Sequence, residues 1–195
     1  MRLNADFDQR AVVRPREHEW VPSPAPGVTR MMLDRVGGEV ARATSLVRYE
    51  PNSRFTEHTH HGGEEFLVLD GEFADENGSF PAGSYVRNPV GTSHTPRVGG
   101  DGATIFVKLH QFDPDDREQK VIDTRSGEWL PGLVDGLSVL PLHEFASPNG
   151  AEHVALVRWA PHTRFAEHGH FGGEEILVLE GEFHDEHGVY PAGSW

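Results

Sequence analysis

A chain of 195 residues accommodates one large domain or two of about a hundred. Its formal charge of -14 excludes the basic face that sequence-independent nucleic-acid binding needs. With no cysteine, disulfides, thiol catalysis and Cys-type zinc sites are excluded too, so any site must use His and carboxylates.

The 22 glycines and 14 prolines suit an all-β chain with many turns better than a helical bundle. No apolar run of about 18 residues occurs and the start at Met1 has no hydrophobic core segment, so neither membrane span nor signal peptide is expected, and the expected location is the cytoplasm. In chain order, Ala43–Tyr49 reads as a strand ended by Pro51-Asn52, and Glu65–Leu69 as a short apolar run ended by Asp70-Gly71. Phe73 leads to a turn at Asp75-Glu76-Asn77-Gly78, Tyr85–Arg87 precedes Asn88-Pro89, and Ala103–Leu109 alternates around Ile105, Val107 and Leu109. No amphipathic helix of about ten residues emerges, so the pattern predicts a sandwich or barrel.

The sequence repeats itself. Residues 41–85 match 151–195 at a constant offset of 110 with 27 identities in 45 positions and no gap. Upstream, Glu19-Trp20-Val21-Pro22 matches Glu128-Trp129-Leu130-Pro131 at an offset of 109, so the units start near Ala11 and Lys120. The expected organisation is a first domain over 1–112 with an N-terminal strand segment, an acidic linker over 113–119, and a second domain over 120–195. The second unit lacks a counterpart of His94 and of Ala103–Leu109 and is read as incomplete. Exposed strand edges are normally covered, so the missing strands are expected from a partner subunit or a natural chain longer by about thirty residues, with a homodimer as the default.

His58-Thr59-His60 places two imidazoles two residues apart, hence on one face of a strand. Glu64 follows after Gly62-Gly63, where a bend returns its carboxylate toward the same point, and Gly91-Thr-Ser-His94 supplies a third imidazole. Three neutral imidazoles and one carboxylate suit Zn, Fe(II), Mn, Ni or Cu rather than Ca or Mg. His61 and Glu65 fall on the opposite face and read as surface or interface residues. Arg48 and Arg158 recur in an otherwise apolar strand and read as exposed or salt-bridged before cavity-lining. Trp20 and Trp129 are expected to pack the strand that opens each unit, and no further histidine shows ligand spacing.

His58-x-His60-x3-Glu64-x6-Gly71 resembles cupin motif 1, and Gly83-x5-Pro89-x-Gly91-x2-His94 resembles cupin motif 2, with Val98 where a closing asparagine often stands. The flanking stretches Gly62-Gly63-Glu64-Glu65-Phe-Leu-Val-Leu-Asp-Gly, Phe80-Pro-Ala-Gly and Arg87-Asn-Pro-Val-Gly-Thr-Ser-His-Thr-Pro resemble the cupin-like domain of the ChrR anti-sigma factors, a grouping that also takes in acetylacetone-dioxygenase-like cupins. The resemblance implies an all-β fold of RmlC-like jelly-roll barrels, here a bicupin with a shortened second copy. It places metal ligands on His58, His60, Glu64 and His94, and a second, weaker set on His168, His170 and Glu174. The implied cofactor is Zn2+ or Fe2+, with Mn2+ or Ni2+ as alternatives.

Two functional readings stay open. One is a sensor or regulatory module, since the ChrR cupin domain is linked to responses to reactive oxygen species. The other is a non-heme Fe(II) dioxygenase acting on a small chelating substrate such as a 1,3-dicarbonyl. A small-molecule ligand at the metal is expected, and neither nucleic acid nor membrane is a partner. Sigma-factor binding is not expected, because ChrR proteins bind sigma through a separate Cys/His zinc-binding helical domain.

Overall fold

The computed structural model describes residues 1–148, 150–166, 168–170 and 172–195. Among them the regular elements are β-strands, apart from one 3-10 turn at Pro15–Glu17. Among the described residues no helix is long and apolar enough to cross a membrane.

The first unit contains β1 (Arg2–Leu3), β2 (Val21–Pro22), β3 (Val28–Gly37), β4 (Ala41–Tyr49), β5 (His58–Thr59), β6 (Glu64–Asp75), β7 (Gly78–Pro81), β8 (Ser84–Asn88), β9 (Ser93–His94) and β10 (Arg97–Leu109). The second contains β11 (Lys120–Asp123), β12 (Leu130–Pro131), β13 (Leu137–Ser147), β14 (Gly150–Trp159), β15 (Glu182–Asp185) and β16 (Gly188–Pro191). A nine-stranded sheet runs β1-β3-β4-β10-β6-β8-β11, with β2 beside β3 and β7 beside β6, while β5 and β9 pair separately. All of these pairings are antiparallel.

The central strands bury both faces, which is why Phe66-Leu67-Val68-Leu69 reads as a continuous apolar run rather than an alternation. Inward, Val47, Phe66, Val68, Phe73, Ile105 and Val107 form the barrel core. Outward, Leu46, Leu69 and Phe106 pack with Leu177 and Trp195 of the second unit, and Tyr85 and Leu67 pack with Leu140, Leu142 and Leu156.

The structure lengthens two expected strands, β6 and β10. Asp70-Gly71 is not a terminating turn; β6 runs through it. Gly71 adopts φ 70°, and opposite it the pairing register of β10 slips between Val98 and Ala103. A left-handed glycine serves a bulge inside a strand as readily as a turn, which the local sequence does not distinguish.

Each unit lends its leading segment to the other. Lys120–Asp123 pairs with β8 of the first unit, placing Ile122 opposite Tyr85. The counterpart of Ile122 is Val13, which exchanges backbone hydrogen bonds of 2.7 and 2.9 Å with Trp195, the counterpart of Tyr85. In the second unit β12-β13-β14 and β15-β16 form two small sheets. Residues 174–180, equivalent to the start of β6, are not in a strand, and no strand equivalent to β10 flanks them among the described residues. Val157 and Ile176 are therefore 49% and 38% exposed, where their counterparts Val47 and Phe66 are 8% and 1% exposed.

Candidate metal centre

Strands β5 and β9 pair so that His58 lies opposite His94, and the backbone N–H of His60 donates to the Thr92 carbonyl at 2.9 Å. Short local pairing thus brings the two motifs together across about thirty-six residues of chain. Glu64 enters at the start of β6, where Gly63 at φ 78° turns the chain. A side chain at Gly63 would overlap the ring of Phe112, so glycine is required for both reasons.

His58, His60, Glu64 and His94 each offer one ligand atom, and these atoms all lie within 4.8 Å of one another. The Nε2 atoms of His58 and His94 are 3.1 Å apart; Glu64 Oε2 lies 3.2 Å from His60 Nε2 and 3.6 Å from His94 Nε2. Two ligands about 2.1 Å from one ion at a tetrahedral angle sit about 3.4 Å apart, which these spacings match. His60, Glu64 and His94 are buried, whereas His58 is exposed. The expectation that these four residues converge is met in full.

All three imidazoles present the same nitrogen because the other is engaged. His58 Nδ1–H donates to the Thr56 carbonyl at 3.3 Å, and His94 Nδ1–H donates to Asp75 Oδ2 at 3.1 Å. The Thr92 hydroxyl donates its proton to the Pro89 carbonyl at 2.8 Å, leaving Oγ1 to accept from His60 Nδ1–H at 2.9 Å. Each Nε2 then carries a lone pair directed at the common point. His60 Nε2 is buried with no hydrogen-bond partner, an expensive state for a polar atom unless a cation takes the lone pair. Burial pushes the His60 pKa down, against a smaller upward pull from Glu64, and so favours the neutral, ligating form. The donor set and its geometry fit a divalent transition metal.

Asp75, Thr92 and Asn88, whose Nδ2 donates to Glu64 Oε2 at 3.1 Å, orient the ligands and were not expected from the sequence. Asp75 is legible there only as a turn residue, and Asn88 only as the residue before a proline.

In the second unit His168 and His170 meet edge to face with ring centroids 4.6 Å apart, and His170 Nε2 lies 3.4 Å from Glu174. All three are exposed.

Of the two positions expected for Glu65, surface or interface, the structure gives the interface. It is 3% exposed, accepting from Tyr85 Oη at 2.5 Å and Arg87 at 2.8 Å, at the seam between the units. Arg87, fully buried, also binds Asp116 and stands 3.4 Å from Glu152 of the second unit. Asp116, His143 and Glu152 form a second group with ligand atoms within 4.8 Å. There the Arg87 guanidinium already supplies the positive charge, so an ion-pair cluster accounts for it. Arg48 stacks on Trp20 and Arg158 on Trp129, with guanidinium carbons 3.7 and 4.1 Å from the ring centres; Arg48 is exposed rather than cavity-lining.

A double-repeat cupin with one assembled cluster of three histidines and a glutamate is the class that fold and site define. The model of the ChrR cupin-like domain matches residues 8–113 and again 117–195, and the chain belongs to this family. Among solved structures, a candidate glyoxylate-induced protein from Pseudomonas aeruginosa is similar at 17% identity, over 94% of this chain and 78% of that one, with a TM-score of 0.69. A candidate dioxygenase from Nostoc punctiforme is similar at 17% identity over 81% and 60%, with a TM-score of 0.55. Both likenesses concern the fold. The anti-sigma factor ChrR of Rhodobacter sphaeroides, solved with SigE, matches at 26% identity over 54% and 55%, with a TM-score of 0.42. No curated protein matches the chain.

Proposed function

We propose that this chain is a metal-binding ChrR-like cupin module in which His58, His60, Glu64 and His94 hold one Zn2+ or Fe2+ ion, and that it serves as an oxidative-stress sensor or regulatory module. The observation that carries the metal is the convergence of three Nε2 lone pairs and one carboxylate, with every Nδ1 already engaged. Family membership supports the regulatory role. The ion would supply Lewis acidity and, as iron, one-electron chemistry. His58, the one exposed member, gives small oxidants access to the cluster, while the other three donors stay shielded.

That same exposed side supports a second reading, a non-heme iron dioxygenase that admits a bidentate 1,3-dicarbonyl beside His58. Oxygen uptake by the Fe2+-loaded protein separates the two. The sensor reading expects no consumption with acetylacetone, but metal release or altered near-UV absorbance after stoichiometric hydrogen peroxide. Sustained consumption that depends on the diketone would replace it with the enzyme.

A further inference from the structure

We propose that Asp75 is a positioning residue of the metal centre, whose carboxylate holds His94 in the one tautomer that can bind an ion. The inference rests on the metal reading above. Asp75 closes β6 and is 2% exposed. Its two oxygens have separate tasks. Oδ1 accepts the backbone N–H groups of Asn77 at 2.6 Å and Gly78 at 3.2 Å, closing the turn to β7. Oδ2 faces His94 Nδ1 at 3.1 Å. A carboxylate only accepts, so Nδ1 must carry the proton and Nε2 must present its lone pair to the cluster. Asp75 also adds a second negative charge beside Glu64, which together balance a divalent cation in a buried setting.

The duplication supplies an internal comparison. Asp185, the counterpart of Asp75, closes the same turn through Oδ1, accepting from His187 and Gly188 at 2.8 and 2.9 Å. Its Oδ2 accepts instead from the Arg10 guanidinium at 2.7 Å. The turn is therefore common to both units, and the imidazole contact belongs only to the unit that contains His94.

Asp75→Asn tests this. The amide oxygen keeps the turn, but its NH2 faces Nδ1 and demands the opposite tautomer, placing a proton on Nε2. Zn2+ affinity of the metal-stripped chain, read by competition with a chromophoric chelator at about pH 7.5, is expected to fall about 10–100-fold. Asp185→Asn, which shares the structural task, is expected to leave Zn2+ affinity unchanged. In the metal-free protein, nitrogen NMR of His94 is expected to report a protonated Nδ1 in the wild type and a protonated Nε2 in Asp75→Asn. Wild-type Zn2+ affinity in Asp75→Asn, or an unaltered His94 tautomer, would overturn the proposal. If the wild-type chain itself binds no Zn2+, the metal reading fails, and the tautomer measurement still decides what Asp75 does.

Discussion

Gly71 and Gly181 are equivalent residues with the same φ of 70°, yet only Gly71 has a strand against it. A methyl group on Gly71 would collide with the Gly102 carbonyl at the bulge of β10, whereas one on Gly181 meets nothing within 4 Å. Gly181→Ala is expected to cost about 1 kcal/mol, the penalty for a side chain in the left-handed region. Gly71→Ala is expected to cost about 3 kcal/mol or more, because the backbone must also move. Urea unfolding of the two variants checks the difference; equal losses would mean that β10 does not press on Gly71.

The seam between the units depends on one buried cation. Removing it by Arg87→Leu leaves Glu65 with only the Tyr85 hydroxyl and Lys108 at 3.9 Å, and Asp116 with His143, and is expected to destabilise the chain by about 3 kcal/mol. Glu152, at the edge of the same cluster, has its pKa raised by burial first and by Glu65 next, against the opposing pull of Arg87. A carboxyl with a raised folded pKa holds its proton longer folded than unfolded, so its contribution to stability declines as pH rises from about 4.5 through the folded value. Glu152→Gln is therefore expected to be at least as stable as wild type at about pH 7 and to gain relative to it between about pH 4 and pH 7. Urea midpoints at the two pH values measure this.

The exchanged arm is anchored by Arg10 on Asp185. Burial works to raise the Asp185 pKa, but the His187 N–H, Arg10 and the Tyr190 hydroxyl outweigh it and hold the carboxyl at about 2. A depressed acid stabilises the fold above its unfolded pKa of about 3.8 and loses that contribution as pH falls toward about 2. Acid unfolding of Arg10→Ala should therefore begin at a higher pH than that of the wild type. Identical acid transitions would show that the arm is not held there.

Val157, Trp159, Ile176 and Leu179 expose apolar surface that the first unit covers with β10. We propose that a second copy of the chain covers this patch; the other expectation, a longer natural chain, would cover it without association. Light scattering should give about twice 21.6 kDa, and Val157→Thr combined with Ile176→Thr should shift the mass toward one chain. A monomer at every concentration would remove that expectation.

The site was legible where it rests on local rules. His58 and His60 share a face because a strand has period two, and the spacing from Glu64 to His94 matched known motifs. What escaped depends on packing between distant segments. The period of two turns Glu65 away from the ligands, but its burial comes from Arg87 and from the second unit beyond it. His143, with no ligand spacing in the sequence, is 2% exposed and meets Asp116 at 2.7 Å only once the units associate. Asp75 announced a turn; its second partner lies nineteen residues on and meets it only when the barrel closes.

Metal content per chain, measured by mass spectrometry after reloading with Zn2+, tests the central claim most directly. One ion is expected in the wild type, none in His94→Ala, and one still in the double variant His168→Ala with His170→Ala. Full content in His94→Ala, or loss of the ion in the second-unit variant, would contradict it.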